Sequence, residues 1–349
     1  MTIAKPADPG PAVNTTGSGS EEGDTTLLAV TNLQTSFAIG RDEFRAVDGV
    51  SFTIDRGQVV GLVGESGSGK SVTALSLLRL VPRPGRIVGG SAYFDGIDLV
   101  SCSEPTMRKI RGRRIGMIFQ DPQTALNPML SVGVLITEGL RTHFDVGKRE
   151  AFNQAVDLLR QVHISDPERI IKSYPHELSG GMKQRVMVAI AVSCQPDLML
   201  ADEPTTALDV TVQAQILELL AETADATDAA MMLITHDLAV IAGYTSKTVV
   251  MFAGKVVEMG PTRDVFYTPR HPYTAELLRS TPRLDRLGSS RGIQAAGGSE
   301  DADRASAGCR YASRCQFAEA QCSEKDPPLE PCGDGHEVAC WVKPVLDLT

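Results

Sequence analysis

The chain has 349 residues, of which 42% are hydrophobic, and its formal net charge is −9 because 43 Asp and Glu outnumber 34 Lys and Arg. This size and composition predict one large globular domain with a smaller one. No apolar run approaches the roughly 18 residues that cross a bilayer. We also expect no secretory signal. The acidic balance argues against nonspecific nucleic-acid binding, which depends on clustered Lys and Arg; the basic strip at residues 108–114 is interpreted as a solvated helix end.

The predicted elements alternate between strands and helices. Strands are predicted at residues 27–37, 46–54, 58–64, 91–96, 115–120, 198–204 and 229–237, and a hairpin around Gly254. Helices are predicted at residues 71–81, 104–111 and 211–224, and residues 128–195 are predicted to be mainly helical. The pattern predicts an α/β fold with a mainly parallel sheet core, an antiparallel β portion and a helical subdomain.

Composition also predicts the domain boundaries. Residues 1–26 are rich in Pro, Gly, Ser and acids and are predicted to be disordered. Residues 282–307 have the composition of a linker. Between and after these segments lie a predicted main domain at residues 27–281 and a predicted cysteine-rich module at residues 308–349.

A glycine-rich turn follows the predicted strand at residues 58–64. The sequence GESGSGKS, Gly64–Ser71, fits G-x-x-x-x-G-K-[ST] and stands between a strand and a helix. Glycines allow consecutive backbone N–H groups to turn inward around an anion. Lys70 supplies a positive charge for the β and γ phosphates, and the Ser71 hydroxyl suits Mg²⁺. The segment is therefore predicted to bind a nucleoside triphosphate.

Polar side chains follow three further apolar strands. Gln120 ends one strand, Asp202 and Glu203 end the next, and His236 ends a third. The carboxyl ends of parallel strands meet at one sheet edge, where open α/β sheets bind ligands. Asp202 can hold the hydration shell of Mg²⁺, and Glu203 can orient or deprotonate water. This arrangement predicts nucleotide hydrolysis.

A helix in the middle region is predicted to begin with a serine and two glycines. Gly180 and Gly181 follow Ser179, and apolar residues recur at helical spacing from Met182 onward. Glycine costs less at a helix start than in its interior, and there the first N–H groups stay open to an anion. The segment is predicted to be an anion-binding helix tip.

The order of these motifs resembles that of the ATP-binding cassette (ABC) ATPases. The motifs are Gly64–Ser71, Gln120, LSGGM at 178–182, Asp202–Glu203, TALD at 206–209 and His236, and the resemblance covers residues 27–281. It implies a P-loop NTPase cassette that hydrolyses ATP with Mg²⁺, with two ATP bound between two cassettes arranged head to tail. Met182 is a departure, because glutamine is commonest there.

The resemblance assigns roles to single residues. Catalytic roles are implied for Glu203, His236, Gln120 and Lys70. Mg²⁺ is expected on Ser71, Gln120 and Asp202. ATP contacts are implied for Phe37, Gly64, Glu65, Ser66, Gly67, Ser68, Gly69, Lys70, Ser71 and Val72, with Phe44 as the rival to Phe37 for stacking on adenine. Contacts to ATP held by a partner subunit are implied for Ser179, Gly180 and Gly181.

The C-terminal part resembles that of oligopeptide and dipeptide importer ATPases. It has an HPYT element within residues 270–280, followed by cysteines. Related subunits hold a [4Fe-4S] cluster, which the resemblance implies on Cys309, Cys315, Cys322 and Cys340. Four thiolates also suit Zn²⁺, which stays open as an alternative, and Cys332 is unassigned.

The importer resemblance also implies partners and a location. These are a second ABC ATPase subunit, two transmembrane permeases and an extracytoplasmic peptide-binding protein, with the chain at the cytoplasmic face of the cell membrane and no nucleic acid bound. Residues 121–133 are expected to contribute to permease docking. Two alternatives are a soluble ABC ATPase of nucleic-acid repair or translation, and a regulatory iron–sulfur sensor on the ATPase fold.

Overall fold

The computed structural model describes residues 25–40, 42–206, 208–280, 307–344 and 346. The predicted disordered segment up to residue 24 and the predicted linker from 282 to 306 lie outside these residues. Among the described helices, none is both long and apolar enough to span a bilayer.

The strands form two sheets. In chain order they are β1 (Thr26–Ile39), β2 (Asp42–Asp55), β3 (Val59–Val63), β4 (Gly85–Phe94), β5 (Ile97–Asp98), β6 (Ile115–Ile118), β7 (Leu198–Asp202), β8 (Ala230–Ile234), β9 (Lys247–Phe252), β10 (Lys255–Pro261), β11 (Glu330–Gly333) and β12 (His336–Val338).

The helices occupy the segments between the strands. They are α1 (Lys70–Leu77), α2 (Glu104–Ile110), α3 (Pro122–Ala125), α4 (Val132–His143), α5 (Lys148–Gln161), α6 (Pro167–Ile170), α7 (Gly180–Val192), α8 (Val210–Thr227), α9 (Leu238–Tyr244), α10 (Thr262–Tyr267), α11 (Pro272–Ser280) and α12 (Ala320–Glu324), with 3₁₀ turns at Pro175–Glu177 and Ala312–Arg314.

The larger sheet has the order β11-β12-β10-β9-β3-β8-β7-β6. Strands β9, β3, β8, β7 and β6 run parallel, and β10, β12 and β11 continue the sheet in antiparallel fashion. Strands β7 and β8 are buried along their whole length, as continuous apolar runs covered on both faces should be. The carboxyl ends of β3, β6, β7 and β8 therefore lie at one edge, as the sequence predicts.

The smaller sheet is antiparallel, with the order β2-β1-β4-β5. One hydrophobic core lies between it and the larger sheet and includes α1. A second core lies on the other face of the larger sheet and includes residues of α4, α5, α7 and α8. Two packed faces hold the central strands rigidly, which fixes the loops at their ends.

Helix α1 ends at Leu77, four residues before the predicted end at Val81. Arg79 adopts a left-handed conformation with φ of 52°, which ends a helix. Val81 precedes Pro82, and a residue before proline is sterically disfavoured in the helical region. The apolar periodicity that continues past Leu77 belongs to the following turn.

The basic strip at residues 108–114 is only partly solvated. Arg111 donates to the Leu78 carbonyl at 2.7 Å and contacts Glu104 at 2.6 Å. Arg114 contacts Asp95 and Asp197, each at 2.7 Å. The expectation of a solvated helix end is therefore wrong for these two arginines, whose side chains are only 23% and 28% exposed and whose charges are matched by carboxylates of the same chain.

The C-terminal module docks on the larger sheet through β12, which pairs with β10. Glu258 of β10 is fully buried, and its carboxylate lies 2.7 Å from Nε2 of His336 on β12. The same carboxylate accepts from the backbone amides of Arg270 and His271 at 2.7 and 2.9 Å. A buried carboxylate needs such partners, so Glu258 joins the module to the main domain.

Candidate nucleotide-binding and hydrolysis site

The turn between β3 and α1 has a backbone that only glycine fits at two positions. Gly64 and Gly69 have φ of 155° and 103°. A Cβ atom at Gly64 would lie 2.1 Å from the Met251 carbonyl oxygen, and one at Gly69 would lie 2.4 Å from the Ala46 carbonyl oxygen. Both clashes are with backbone, which cannot yield as a side chain can. The glycines are thus required by the close approach of two other chain segments.

Lys70 lies buried beneath this turn. Its Nζ donates to the carbonyls of Gly64 and Glu65, both at 2.8 Å. Burial lowers the pKa of Lys70, and the nearby carboxylates of Glu203, Asp202 and Glu65 act in the opposite direction. The lysine charge is therefore held inside the turn, at the place where the sequence predicts phosphates.

The turn is joined to the end of β7 by a hydrogen bond. The Ser71 hydroxyl donates to Oδ1 of Asp202 at 2.9 Å. Burial raises the pKa of Asp202 to about 6, with the charge of Glu203 adding to the rise and Ser71 and Lys70 opposing it. A hydroxyl and a carboxylate side by side are hard oxygen ligands suited to Mg²⁺.

Glu203, the next residue, is held by three polar side chains. Oε2 accepts from Gln120 Nε2 at 2.7 Å and from the Thr206 hydroxyl at 2.9 Å. Oε1 lies 3.3 Å from Nδ1 of His236. Burial works to raise the pKa of Glu203, but the hydrogen bonds from Thr206 and His236 and the charge of Lys70 leave it below its ordinary value. The carboxylate is ionised and oriented, as a residue that activates water must be.

The structure brings most of the predicted site residues together. Four strand ends supply the phosphate turn, Gln120, Asp202–Glu203 and His236, and the hydrogen bonds above connect the last three with Thr206. The motif TALD contains Thr206, but the sequence does not show that its hydroxyl contacts Glu203. Ala207 of that motif lies outside the described residues. The catalytic roles themselves stay predictions.

The serine-glycine segment begins α7. The Ser179 hydroxyl accepts from the Met182 amide at 3.4 Å and caps the helix. A Cβ atom added at Gly180 would lie 4.0 Å from the Leu208 side chain. One added at Gly181 would lie 3.1 Å from Val212, near the start of α8. The predicted helix start is confirmed, and Ser179 and Gly180 at its tip are exposed.

The two candidate adenine-stacking residues are cross-strand partners. Phe37 of β1 pairs directly with Phe44 of β2, so both side chains lie on the same face of the sheet. Phe37 also packs against Gly85, where an added Cβ would lie 2.6 Å from the phenylalanine ring. Both rings are half-buried. The choice of Phe37 stays a prediction, and Phe44 lies beside it.

Two residues that sequence reasoning missed contact the phosphate turn from the C-terminal part. Tyr273 of the HPYT element and Arg314 of the cysteine-rich module both contact Glu65. They lie 208 and 249 residues further along the chain. No local pattern indicates such a contact, since only the docking of the module brings these segments together.

The four cysteines predicted to hold a cluster line one cavity. Its walls are Cys309, Cys315, Cys322 and Cys340 together with His271, Pro272, Tyr311, Ala312, Phe317, Trp341 and Val342. Within the described part of the chain, however, no three His, Cys, Asp or Glu side chains lie close enough to hold a metal ion. The prediction of a metal centre in the module is therefore not supported.

The cavity raises the pKa of three of the cysteine thiols that line it. Burial raises the pKa of Cys309 to about 11, and it also raises the pKa of Cys315 and Cys340. Metal binding requires thiolates and releases their protons. Cys332 lies on β11, outside the lining of this cavity.

Two family models match the sequence. The model described as "ABC transporter" matches residues 47–206, which include the phosphate turn and the strand-end residues. The model described as "Oligopeptide/dipeptide transporter, C-terminal region" matches residues 257–322. The second match covers the HPYT element and three of the four cavity cysteines.

Curated relatives match nearly the whole chain. The probable peptide ABC transporter ATP-binding protein y4tR of Sinorhizobium fredii is 48% identical over 316 residues, covering 90% of this chain and 94% of that protein. The dipeptide transport ATP-binding protein DppD of Escherichia coli is 46% identical, covering 90% and 96%. The oligopeptide transport ATP-binding protein AppD of Bacillus subtilis is 47% identical, covering 91% and 97%.

Solved structures share the fold. The ATP-binding cassette MJ0796, described as a dimer bound to ADP and Pi after hydrolysis, matches with a TM-score of 0.62 at 26% identity over 68% of this chain and 99% of that chain. The cbiO1 protein of Clostridium perfringens, part of the cbiONQ ABC transporter complex, matches with a TM-score of 0.59 at 25% identity over 76% and 98%.

Proposed function

The chain belongs to the ABC transporter family, among the ATP-binding subunits of oligopeptide and dipeptide importers, and on that premise we propose that it hydrolyses ATP to power peptide import. The observation that carries the proposal is the carboxylate of Glu203, oriented by Gln120, Thr206 and His236 beside the Ser71–Asp202 pair. Relatives named as ATP-binding proteins of peptide transporters are 46 to 48% identical over nine tenths of the chain, and they support peptides as the substrate class.

The residues of the site divide the work of hydrolysis. The turn amides and Lys70 bind the phosphates and neutralise their charge. Glu203 accepts the proton of the attacking water, and His236 holds Glu203 and stabilises the charge that develops at the γ-phosphate. Ser71, Asp202 and Gln120 would hold Mg²⁺, which supplies charge neutralisation between the phosphates when bound.

A second subunit is needed to complete each site. Ser179 and Gly180 lie at an exposed helix tip, and helix tips with free N–H groups bind anions. We propose that they contact ATP held by the partner subunit, and that the partner is a different, related ATPase. Burial of both ATP molecules favours the closed dimer, and hydrolysis reopens it.

The remaining partners follow from the family. Two transmembrane permeases would dock at residues 121–133, next to Gln120, where Met129 is 80% exposed. An extracytoplasmic peptide-binding protein would deliver the substrate, and the chain would work at the cytoplasmic face of the cell membrane. We propose a division into an ATPase domain at residues 27–281 and a cysteine-rich module at residues 308–349.

A [4Fe-4S] cluster in the module is a separate part of the proposal. The proposal is supported by the four cysteines that line one cavity, whose walls also include aromatic side chains. Four cysteines on the wall of one cavity match the number of thiolate ligands that a [4Fe-4S] cluster takes.

Peptide uptake tests the function directly. Cells that lack this gene should lose uptake of labelled di- and oligopeptides, and the wild-type chain should restore it. In detergent or nanodiscs the chain should copurify with two permeases and show ATPase activity that rises with peptide-loaded binding protein. Restoration of uptake by a chain with Glu203→Ala would contradict the proposal.

The rival function is a soluble ATPase of nucleic-acid repair or translation. It predicts ATPase activity that rises with DNA or RNA, and copurification without permeases. The ion pairing of Arg111 and Arg114 within the fold leaves the basic strip poorly suited to a phosphate backbone. Stimulation by nucleic acid in place of peptide would favour the rival.

A further inference from the structure

Glu65, the second residue of the phosphate turn, is held by two residues from beyond the matched cassette core. The Tyr273 hydroxyl accepts a hydrogen bond from the Glu65 backbone amide at 2.8 Å. Arg314 places Nη1 and Nη2 on the two carboxylate oxygens of Glu65 at 3.1 and 3.0 Å. One contact fixes the backbone of the turn, and the other fixes its side chain.

Both residues are themselves held firmly. Tyr273 is fully buried, and the Arg314 side chain is only 11% exposed. The Arg314 guanidinium lies 5.5 Å from the ring centre of Phe252 and 5.6 Å from that of Tyr311. Arg314 also contacts Glu276 of α11 at 3.1 Å. A planar arginine fork that is stacked and bidentate loses little further freedom when it binds a carboxylate.

The same short loop carries the contact and two of the cavity cysteines. Arg314 and Tyr311 lie between Cys309 and Cys315. Tyr311 lines the thiol cavity and hydrogen-bonds to Glu276. The loop therefore connects the thiol cavity on one side with the phosphate turn on the other.

We propose that Tyr273 and Arg314 are positioning residues for ATP, which hold the phosphate turn in its binding shape through Glu65. The inference rests on the proposed ATPase function and extends it to the C-terminal part of the chain. A turn that is ordered before the nucleotide arrives loses less entropy on binding. Neither side chain takes part in the chemical step, so their loss should weaken ATP binding more than it slows hydrolysis.

Kinetics of single variants test the proposal. Arg314→Met keeps an apolar stem against Phe252 and removes the charge. It should raise KM for ATP by about tenfold, which is the effect expected when a hydrogen bond between charged groups is lost. The value of kcat should change less than about twofold. Arg314→Lys should recover part of the loss, because a lysine makes one ionic contact and no fork. Tyr273→Phe removes only the hydroxyl and should raise KM by about threefold.

A double-mutant cycle separates positioning from general stability. Glu65→Gln and Arg314→Met should each raise KM. The KM of the double variant should be no higher than that of the more affected single variant, since both substitutions remove the same contact between Arg314 and Glu65. Glu330→Gln is the matched control, because it breaks a 2.8 Å ion pair with Lys343 in the same module that does not contact the turn. It should leave KM unchanged.

The outcomes distinguish the two proposals. Wild-type KM in Arg314→Met and Tyr273→Phe, even with a lower unfolding midpoint, would overturn the positioning role and leave the ATPase function intact. Additive effects of Glu65→Gln and Arg314→Met would overturn it as well. A wild-type chain that neither binds nor hydrolyses ATP with its copurified subunits would contradict the proposed function itself.

Discussion

The Ser71 hydroxyl donates to the Asp202 carboxylate at 2.9 Å, across 131 residues of sequence. This bond joins the first turn of α1 to the end of β7, so the two motifs expected to share Mg²⁺ are in contact. Asp202 is buried there, and burial raises its pKa to about 6. The contact therefore places an energetically unfavourable carboxylate where a cation is expected.

Replacement of Asp202 by Asn should stabilise the chain in the absence of Mg²⁺ and nucleotide. The folded pKa of about 6 lies above the ordinary value of 3.8, so the folded chain binds the proton more tightly than the unfolded chain does. Stability is then lost as pH rises from about 4 to about 6. Asp202→Asn should gain about 3 kcal/mol at pH 7.5 and little at pH 4, measured by urea unfolding.

The same variant should lose ATPase activity, because the neutral amide lacks the negative charge with which Asp202 would attract Mg²⁺. ATPase activity of the wild type should fall at acidic pH, since the ionised carboxylate is the form that binds the cation. A stability gain that does not change between pH 4 and pH 7.5 would contradict the burial of an ionised Asp202.

Replacement of Glu203 by Gln should stop hydrolysis and keep ATP binding. The amide retains the shape of the side chain and cannot accept the proton of water, so kcat should fall at least about 100-fold. Thr206→Val is the control, because it removes one hydrogen bond to the carboxylate and should slow hydrolysis far less. Hydrolysis at the wild-type rate in Glu203→Gln would refute the assigned base.

A negative charge at the tip of α7 should block the proposed contact with the partner's ATP. Gly180 has room for a side chain, since an added Cβ meets nothing nearer than 4.0 Å, and Asp near a helix N-terminus is favourable. Gly180→Asp should therefore keep or slightly raise the unfolding midpoint and reduce ATPase activity by at least about tenfold through repulsion of phosphate. Gly180→Asn, of the same size and without charge, should retain more activity in the same assay.

Loss of His336 should loosen the C-terminal module. His336→Ala leaves the fully buried Glu258 without its side-chain partner, which should cost about 3 kcal/mol. Hydrogen exchange should then rise in β11 and β12 before it rises in β3 or β8. His336→Gln, which keeps an amide donor, should be milder. Unchanged exchange in His336→Ala would show that the module does not depend on this pair.

The proposed cluster can be tested with one cysteine inside the cavity and one outside. Anaerobically purified wild type should be brown and contain iron and sulfide, and Cys315→Ser should lose both. Cys332→Ser should keep them, because Cys332 lies outside the cavity lining. Colourless wild-type protein that contains only zinc would end the cluster proposal.

The sequence predicts the main sheet and the strand-end residues because that information is local. Each polar residue directly follows an apolar strand, and parallel strands bring their carboxyl ends together by geometry alone. The glycine turn is also local, although the reason that Gly64 and Gly69 admit no side chain is the nearby backbone at Met251 and Ala46. Sequence pattern identifies the site, and packing explains why its residues are fixed.

Contacts made by docking were beyond prediction. Arg314 and Glu65 are 249 residues apart, and cysteine spacing predicts ligands without giving the separation of their sulfur atoms. The pairing of Phe37 with Phe44 depends on a strand register that bulges shift several times along β1 and β2. In each case the missing information is the relative placement of two elements.

The pairing of β12 with β10 has a consequence for shortened forms of the chain. Without the module, β10 would present a row of open amide and carbonyl groups at the sheet border, and an uncovered border strand recruits other chains. A truncated cassette ending after α11 would therefore tend to aggregate, even though every residue predicted to contact the nucleotide is still present. The C-terminal module thus protects solubility through its hairpin as well as contacting the phosphate turn through Arg314.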